Sequence, residues 1–168
     1  SKIYIRNMSV QEKLIAKYGN PMADRAGFEA RWMTLAVYPA DIATQIPCLG
    51  KSVYCHKEAQ EPWMRLLRRW IQRGLHREIN TNDQCFMPRY IRGLENKKVI
   101  SIHSWGLAFD LNMGDNPLGL SRLDALKAGL NPFTEIFIQT ARDEGFVAGA
   151  DFSRKDLMHF EAVTKSYY

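Results

Sequence analysis

Residues 107–112, Leu-Ala-Phe-Asp-Leu-Asn, alternate bulky apolar side chains with small or polar ones. A strand sends successive side chains to opposite faces, so Leu107, Phe109 and Leu111 share one face and Ala108, Asp110 and Asn112 the other. The apolar face has to pack against a core. Asp110 is thereby aimed away from that core, where a ligand could sit. This stretch restricts the chain to folds with a sheet covered on one side and carrying a carboxylate on the other.

The cover is also legible. Trp63, Leu66, Leu67, Trp70 and Ile71 recur at the spacing of one helix face. Arg65, Arg68, Arg69 and Arg73 lie largely on the opposite side, either as a patch for an anionic polymer or as a solvated helix face. Gly74 can end this helix. A short amphipathic helix is expected over 10–18, with Ser9 and Glu12 at capping-box spacing and Gly19 as its stop. A strand is expected over 31–38, others over 52–56 and near 85–87, and a short helix over 121–128. A helix capped by Asn131, with Pro132 in its first turn, should run to about 144. A last hairpin should join 146–148 to 157–163 through a polar turn at 153–155. From Val99 the chain reads as strand, bend at Gly106, strand.

Two further polar groups can join Asp110. His103 is seven residues upstream, with Gly106 between them, and the bend can return both to one point. His159 lies far along the chain, on a strand that the final hairpin can bring alongside. A catalytic zinc takes three N, O or S ligands and keeps a fourth position open for water, and His103, Asp110 and His159 make such a set. Asp156, three residues before His159, is placed to move protons as a general base. Glu161 shares a strand face with His159 and either orients its imidazole or is a surface carboxylate. His56 and His76 have no ligand-like spacing and read as structural or surface residues.

The remaining numbers set bounds. A chain of 168 residues suits one domain with a real core. No apolar run reaches the roughly 20 residues of a membrane span. The opening residues, 1–6, lack an export signal, which suggests synthesis in a cytoplasm or a leader already removed. Cys48, Cys55 and Cys85 cannot all pair and show no Cys-x-x-Cys spacing, so they are expected as buried free thiols. The formal net charge of +5 and a pI near 9.2 favour an anionic partner. A nucleic-acid reading rests on that charge and the arginine-rich helix alone.

The pattern Ser101-x-His103-x-x-Gly106-x-Ala108-x-Asp110, followed by Asp156-x-x-His159-Phe160-Glu161, resembles the signature of the M15 peptidases. These include D-alanyl-D-alanine carboxypeptidases and the L-alanyl-D-glutamate endopeptidases of the VanY-like group. The context 88–93, 104–106, 116–117 and 144–152 is similar to the phage endolysin branch. The resemblance is strong over 85–163 and only general before it. It implies Zn²⁺ on His103, Asp110 and His159, with Asp156 as the catalytic acid/base in a position where many relatives carry Glu. It implies an arginine on the substrate, with Arg89 the first choice and Arg92 the second, and substrate contacts from Ser101 and Trp105. The fold implied is α+β, of M15 or Hedgehog-like peptidase type: one domain over 1–168, with a motif-bearing core at about 85–163, a helical part at 1–84, and a small antiparallel sheet holding the site between helices. The activity implied is hydrolysis of the peptidoglycan stem peptide by a monomeric enzyme without stable membrane insertion or nucleic-acid partner. An enzyme of this branch is made in the cytoplasm and acts on the bacterial wall as a phage lysis protein. A D-alanyl-D-alanine carboxypeptidase and a non-catalytic, zinc-containing virion or wall-binding module are the alternatives.

Overall fold

The computed structural model describes residues 8–168; residues 1–6, on which the reading of the N-terminus rests, lie outside this range. Ser9 caps helix α1 (Val10–Tyr18) by accepting the Glu12 N–H, and Gly19 closes it by donating to the Ile15 carbonyl, as the sequence predicts. The expected strand over 31–38 is shorter, because its first residues finish a helix. Asp24 accepts from the Gly27 N–H and starts α2 (Arg25–Trp32), which leads directly into β1 (Met33–Val37). After the single turn α3 (Ala40–Ala43), β2 (Ser52–His56) pairs antiparallel with β1, Met33 opposite His56.

Helix α4 (Lys57–Gln72) follows without a break, with the His56 side chain accepting the Glu58 N–H as its cap. Its buried face is the one expected. Trp63 stacks on Phe109 at 4.1 Å and Trp70 on Phe137 at 4.0 Å. Both indole N–H groups are satisfied, by the Tyr38 hydroxyl and the Phe137 carbonyl, so these two large core side chains carry no polar penalty. The arginines of the outer face find local partners: Arg68 pairs with Asp41 at 2.9 Å, Arg65 and Arg69 with Glu144 at 3.5 Å, and Arg73 donates to Thr140. This is the solvated-face arrangement rather than an open cationic patch.

The expected strand at 85–87 sits earlier, as β3 (Asn82–Gln84). The buried Asn112 side chain sets this position, its oxygen accepting the N–H groups of Asn80 and Thr81. No strand runs into His103. Residues Ile102–Trp105 form one tight i→i+3 turn that Ser101 caps, and Gly106 then reverses the chain into β4 (Ala108–Leu111). Helix α5 (Arg122–Lys127) is as predicted. Helix α6 (Glu135–Asp143) starts three residues later than expected. Phe133 gives its N–H to buried Asn116 and Thr134 gives its own to Glu78, so Thr134 rather than Asn131 becomes the cap.

The final hairpin forms from β5 (Val147–Ala148) and β6 (His159–Glu161), both shorter than expected. Among the described residues the architecture is α+β with two antiparallel sheets: β1–β2, and a four-stranded sheet in the order β3-β4-β6-β5. In the latter, Phe109 lies opposite Phe160 and Asp110 opposite His159. The phenylalanines face α4 and α6; the aspartate and histidine face the other way. All three cysteines are free, but only Cys55 is buried as expected: Cys85 is half-buried, and Cys48 is exposed, in the tight turn Pro47–Leu49 before β2. Among the described residues no helix is long and apolar enough to cross a membrane.

Candidate metal centre

The register of β4 and β6 fixes half of the site. Asp110 and His159 are cross-strand partners, so their side chains rise from the same face. His159 Nδ1 lies 3.2 Å from Asp110 Oδ1. His103 arrives from the tight turn before Gly106, and its Nε2 lies 3.1 Å from Asp110 Oδ2. One ligand atom from each of the three residues falls within 4.8 Å of the others. All three side chains are buried.

The outer nitrogen of each imidazole is already engaged. His103 Nδ1 meets the Cys85 carbonyl at 2.7 Å and, as that partner only accepts, must donate. His159 Nε2 meets Glu161 Oε2 at 2.7 Å. Hydrogen bonds of this kind fix ring orientation and tautomer in metal-binding histidines. They leave His103 Nε2 and His159 Nδ1 turned towards the Asp110 carboxylate. His103 Nε2 is buried and has no hydrogen-bond partner of acceptable geometry. Tetrahedral ligands about 2.0–2.1 Å from zinc lie roughly 3.4 Å from one another, close to the separations seen. The donor set, its spacing and the orphaned nitrogen fit a zinc ion.

The electrostatics agree. Burial alone would push Asp110 up, but the two histidines beside it more than offset this and hold it well below the usual carboxylate range. Burial would lower His159, yet Asp110 and Glu161 on either side raise it above the ordinary imidazole value. A position where two carboxylates retain a proton so strongly is also one where they would retain a cation. Burial likewise works against ionisation of Glu161, and the hydrogen bonds from His159, Tyr168 and Thr164 reverse this.

Asp156 stands beside the trio. Its Oδ2 is 3.8 Å from His159 Nδ1, and its Oδ1 is buried without a partner. Burial raises its pKa first of all, and the neighbouring Asp110 charge adds to the effect. The backbone holding it packs tightly on Gly149: a Cβ there would come within 2.1 Å of the Asp156 carbonyl. Glycine at 149 is what lets the Asp156 turn lie against the sheet.

The trio and Asp156 line a cavity of about 450 Å³, with Arg89, Arg92 and Ser101 also on its walls. Arg89 is half-buried; it reaches Gln84 Oε1 at 3.2 Å, and its buried Nε has no partner. Burial and nearby Arg92 both lower its pKa. Arg92 is exposed at the rim. Ser101 accepts the His103 N–H and so shapes the ligand-bearing turn. Trp105 does not reach the cavity. Its side chain is fully buried and its indole N–H donates to the Gly19 carbonyl at 2.9 Å, so the expected substrate contact is replaced by a tie to the end of α1. Two contributors have no signature in the sequence: the Cys85 carbonyl and Tyr168. The first acts through backbone, and Tyr168 lies outside both motifs.

No curated protein and no solved structure matches the chain. Residues 95–162, less than half of the chain but including His103, Asp110, Asp156, His159 and Glu161, match the M15 peptidase family model described as D-alanyl-D-alanine carboxypeptidase, which supports a peptidase built on this centre.

Proposed function

We propose that this chain is a zinc metallopeptidase that cleaves the stem peptide of peptidoglycan, as an endolysin-type L-alanyl-D-glutamate endopeptidase. The observation that carries the reading is the convergence of His103 Nε2, Asp110 and His159 Nδ1 on one point, with Asp156, whose Oδ1 has no partner, beside it. When bound, zinc supplies Lewis acidity towards the scissile carbonyl and a water acidified to a pKa of about 7.

The chain's own groups do the rest. His103, Asp110 and His159 hold the ion. Asp156, whose environment favours proton uptake, accepts a proton from the attacking water and delivers it to the leaving amine. Arg89, on the cavity wall, stabilises the developing negative charge on the carbonyl oxygen or holds a substrate carboxylate. Arg92 at the rim is the second candidate for that grip. The basic overall charge suits an anionic wall. On this reading the protein is a monomer made in a cytoplasm and released to the wall as a phage lysis protein.

One observation favours a second reading. The matching family model is described by D-alanyl-D-alanine carboxypeptidase activity, in which a terminal D-alanine is released rather than an internal bond opened. The deciding experiment is metal analysis of the purified protein combined with mass spectrometry of digested muropeptides. New amino termini on D-glutamate support the endopeptidase; free D-alanine supports the carboxypeptidase. Asp156→Asn should retain zinc and lose at least about 100-fold in turnover. Unchanged wall cleavage by that variant would remove Asp156 from the mechanism, and no cleavage by the zinc-loaded parent would leave a binding module.

A further inference from the structure

Glu161 is 1 % exposed and its carboxylate is fully subscribed. One oxygen, Oε2, takes the His159 ring. The other, Oε1, accepts two hydroxyls at 2.7 Å each, from Thr164 and from Tyr168. Thr164 is three residues on, in the turn that ends β6, so its bond is local. Tyr168 is seven residues on and comes back across a further tight turn, Lys165–Tyr167, to reach the same oxygen.

The tyrosine has two different ends. Its hydroxyl is turned inward onto Glu161. Its ring, in a residue 58 % exposed, lines the cavity and lies near-parallel to Phe152 at 6.0 Å. Phe152 in turn contacts the His159 ring at 5.6 Å. A carboxylate accepting from one hydroxyl can still rotate about its last side-chain bond. Two hydroxyls converging on one oxygen, with an imidazole on the other, hold its plane. The orientation of Glu161 decides which His159 nitrogen bears the proton and therefore which is free to ligate.

We propose that Tyr168 is a positioning residue of the metal centre, fixing His159 through Glu161 while its ring forms cavity wall. This rests on the zinc reading above. Groups that hold a ligand in place from outside typically change metal affinity by about 10- to 100-fold when removed. Tyr168 shares its task with Thr164, so the lower end of that range is expected.

The test is zinc titration of the metal-free protein against a chromophoric chelator, comparing the parent with Tyr168→Phe. Phenylalanine keeps the ring and its contact with Phe152 and removes only the hydroxyl. The expected result is zinc binding about 10-fold weaker, a shifted visible spectrum of the cobalt(II)-substituted protein, and a KM within about twofold of the parent. Thr164→Val, which removes the other hydroxyl from the same oxygen, should weaken zinc comparably. If Tyr168→Phe lowers the melting temperature but binds zinc as tightly as the parent, with an unchanged cobalt spectrum, Tyr168 is structural only and the proposal is overturned. If the parent itself binds no zinc, the metallopeptidase reading falls and this one with it; a parent that binds tightly beside an unaltered variant sinks this inference alone.

Discussion

Gly106 adopts φ of 66°, and a Cβ on it would lie 2.7 Å from the Met33 side chain and 2.8 Å from the His56 backbone nitrogen. The left-handed conformation turns the chain from the His103 turn into β4. The missing side chain lets the Gly106 carbonyl accept the His56 N–H at 2.9 Å. Gly106→Ala therefore combines an unfavourable backbone conformation with a clash against main chain, and should cost about 2–4 kcal/mol. In a chain of this size that is a fall in melting temperature of about 4–16 °C, readable by calorimetry. The bend at this glycine was legible in the sequence, as was the trio it serves, because side-chain parity along a strand and histidines at fixed distance leave a pattern. The Cys85 carbonyl that holds His103 left none: any residue at 85 has a carbonyl, and only the folded path says where it points. Trp105 misled for a related reason, since a residue between two site residues in sequence can turn away from both within one tight turn.

Helix α4 shows the same division among elements. Its apolar face and its stop were readable from spacing, because a helix packed on one side repeats its pattern. Its start was not, since the cap is His56, a residue rarely used there. That imidazole is buried, stacks on Trp32 at 5.3 Å and lies edge-on to Tyr18 at 4.5 Å. Burial lowers its pKa from 6.5 to about 4; Glu58 opposes the shift, and Lys17 and Lys57 reinforce it. A pKa lower in the folded than in the unfolded state means that the unfolded chain takes up the proton first on acidification. The stabilisation is thus complete above pH about 6.5 and is lost as the pH falls towards about 4, amounting to roughly 3 kcal/mol. His56→Asn keeps an acceptor for the Glu58 N–H and does not titrate. It should be less stable at pH 7, yet flatter between pH 6.5 and 4 in urea-unfolding midpoints, and a slope equal to the parent's would refute the assignment. Helix α6 and strand β3 were displaced from their expected starts by buried Asn116 and Asn112, whose hydrogen bonds to distant backbone no local window contains.

At the scale of the molecule, the fold gathers buried Asp110 and Glu161 and half-buried Asp156 around two buried imidazoles. A cation that binds there only in the folded state stabilises it by mass action, about 2.7 kcal/mol when free zinc is 100 times its dissociation constant. Stripping the protein with a chelator should lower its melting temperature by about 5–11 °C, and adding zinc back should restore it, whereas magnesium, which prefers six oxygen ligands, should not. Equal melting temperatures with and without chelator would count against a metal at this position. The α+β class was accessible through the resemblance carried by the two motifs. The separate β1–β2 sheet, and the return of the chain's last residues to Glu161, follow from packing across the whole fold and could not be read from either motif.

The pairing of β4 with β6 involves three residue pairs, with phenylalanine opposite phenylalanine flanked by Ala108–Glu161 and Asp110–His159. Such a ladder works only for one parity. Adding or deleting a single residue within either strand would swing a ligand into the hydrophobic interior and a benzyl ring out into the cavity, exchanging the two sides of the sheet at once. Inside these two strands even the smallest change of length therefore erases core and centre together.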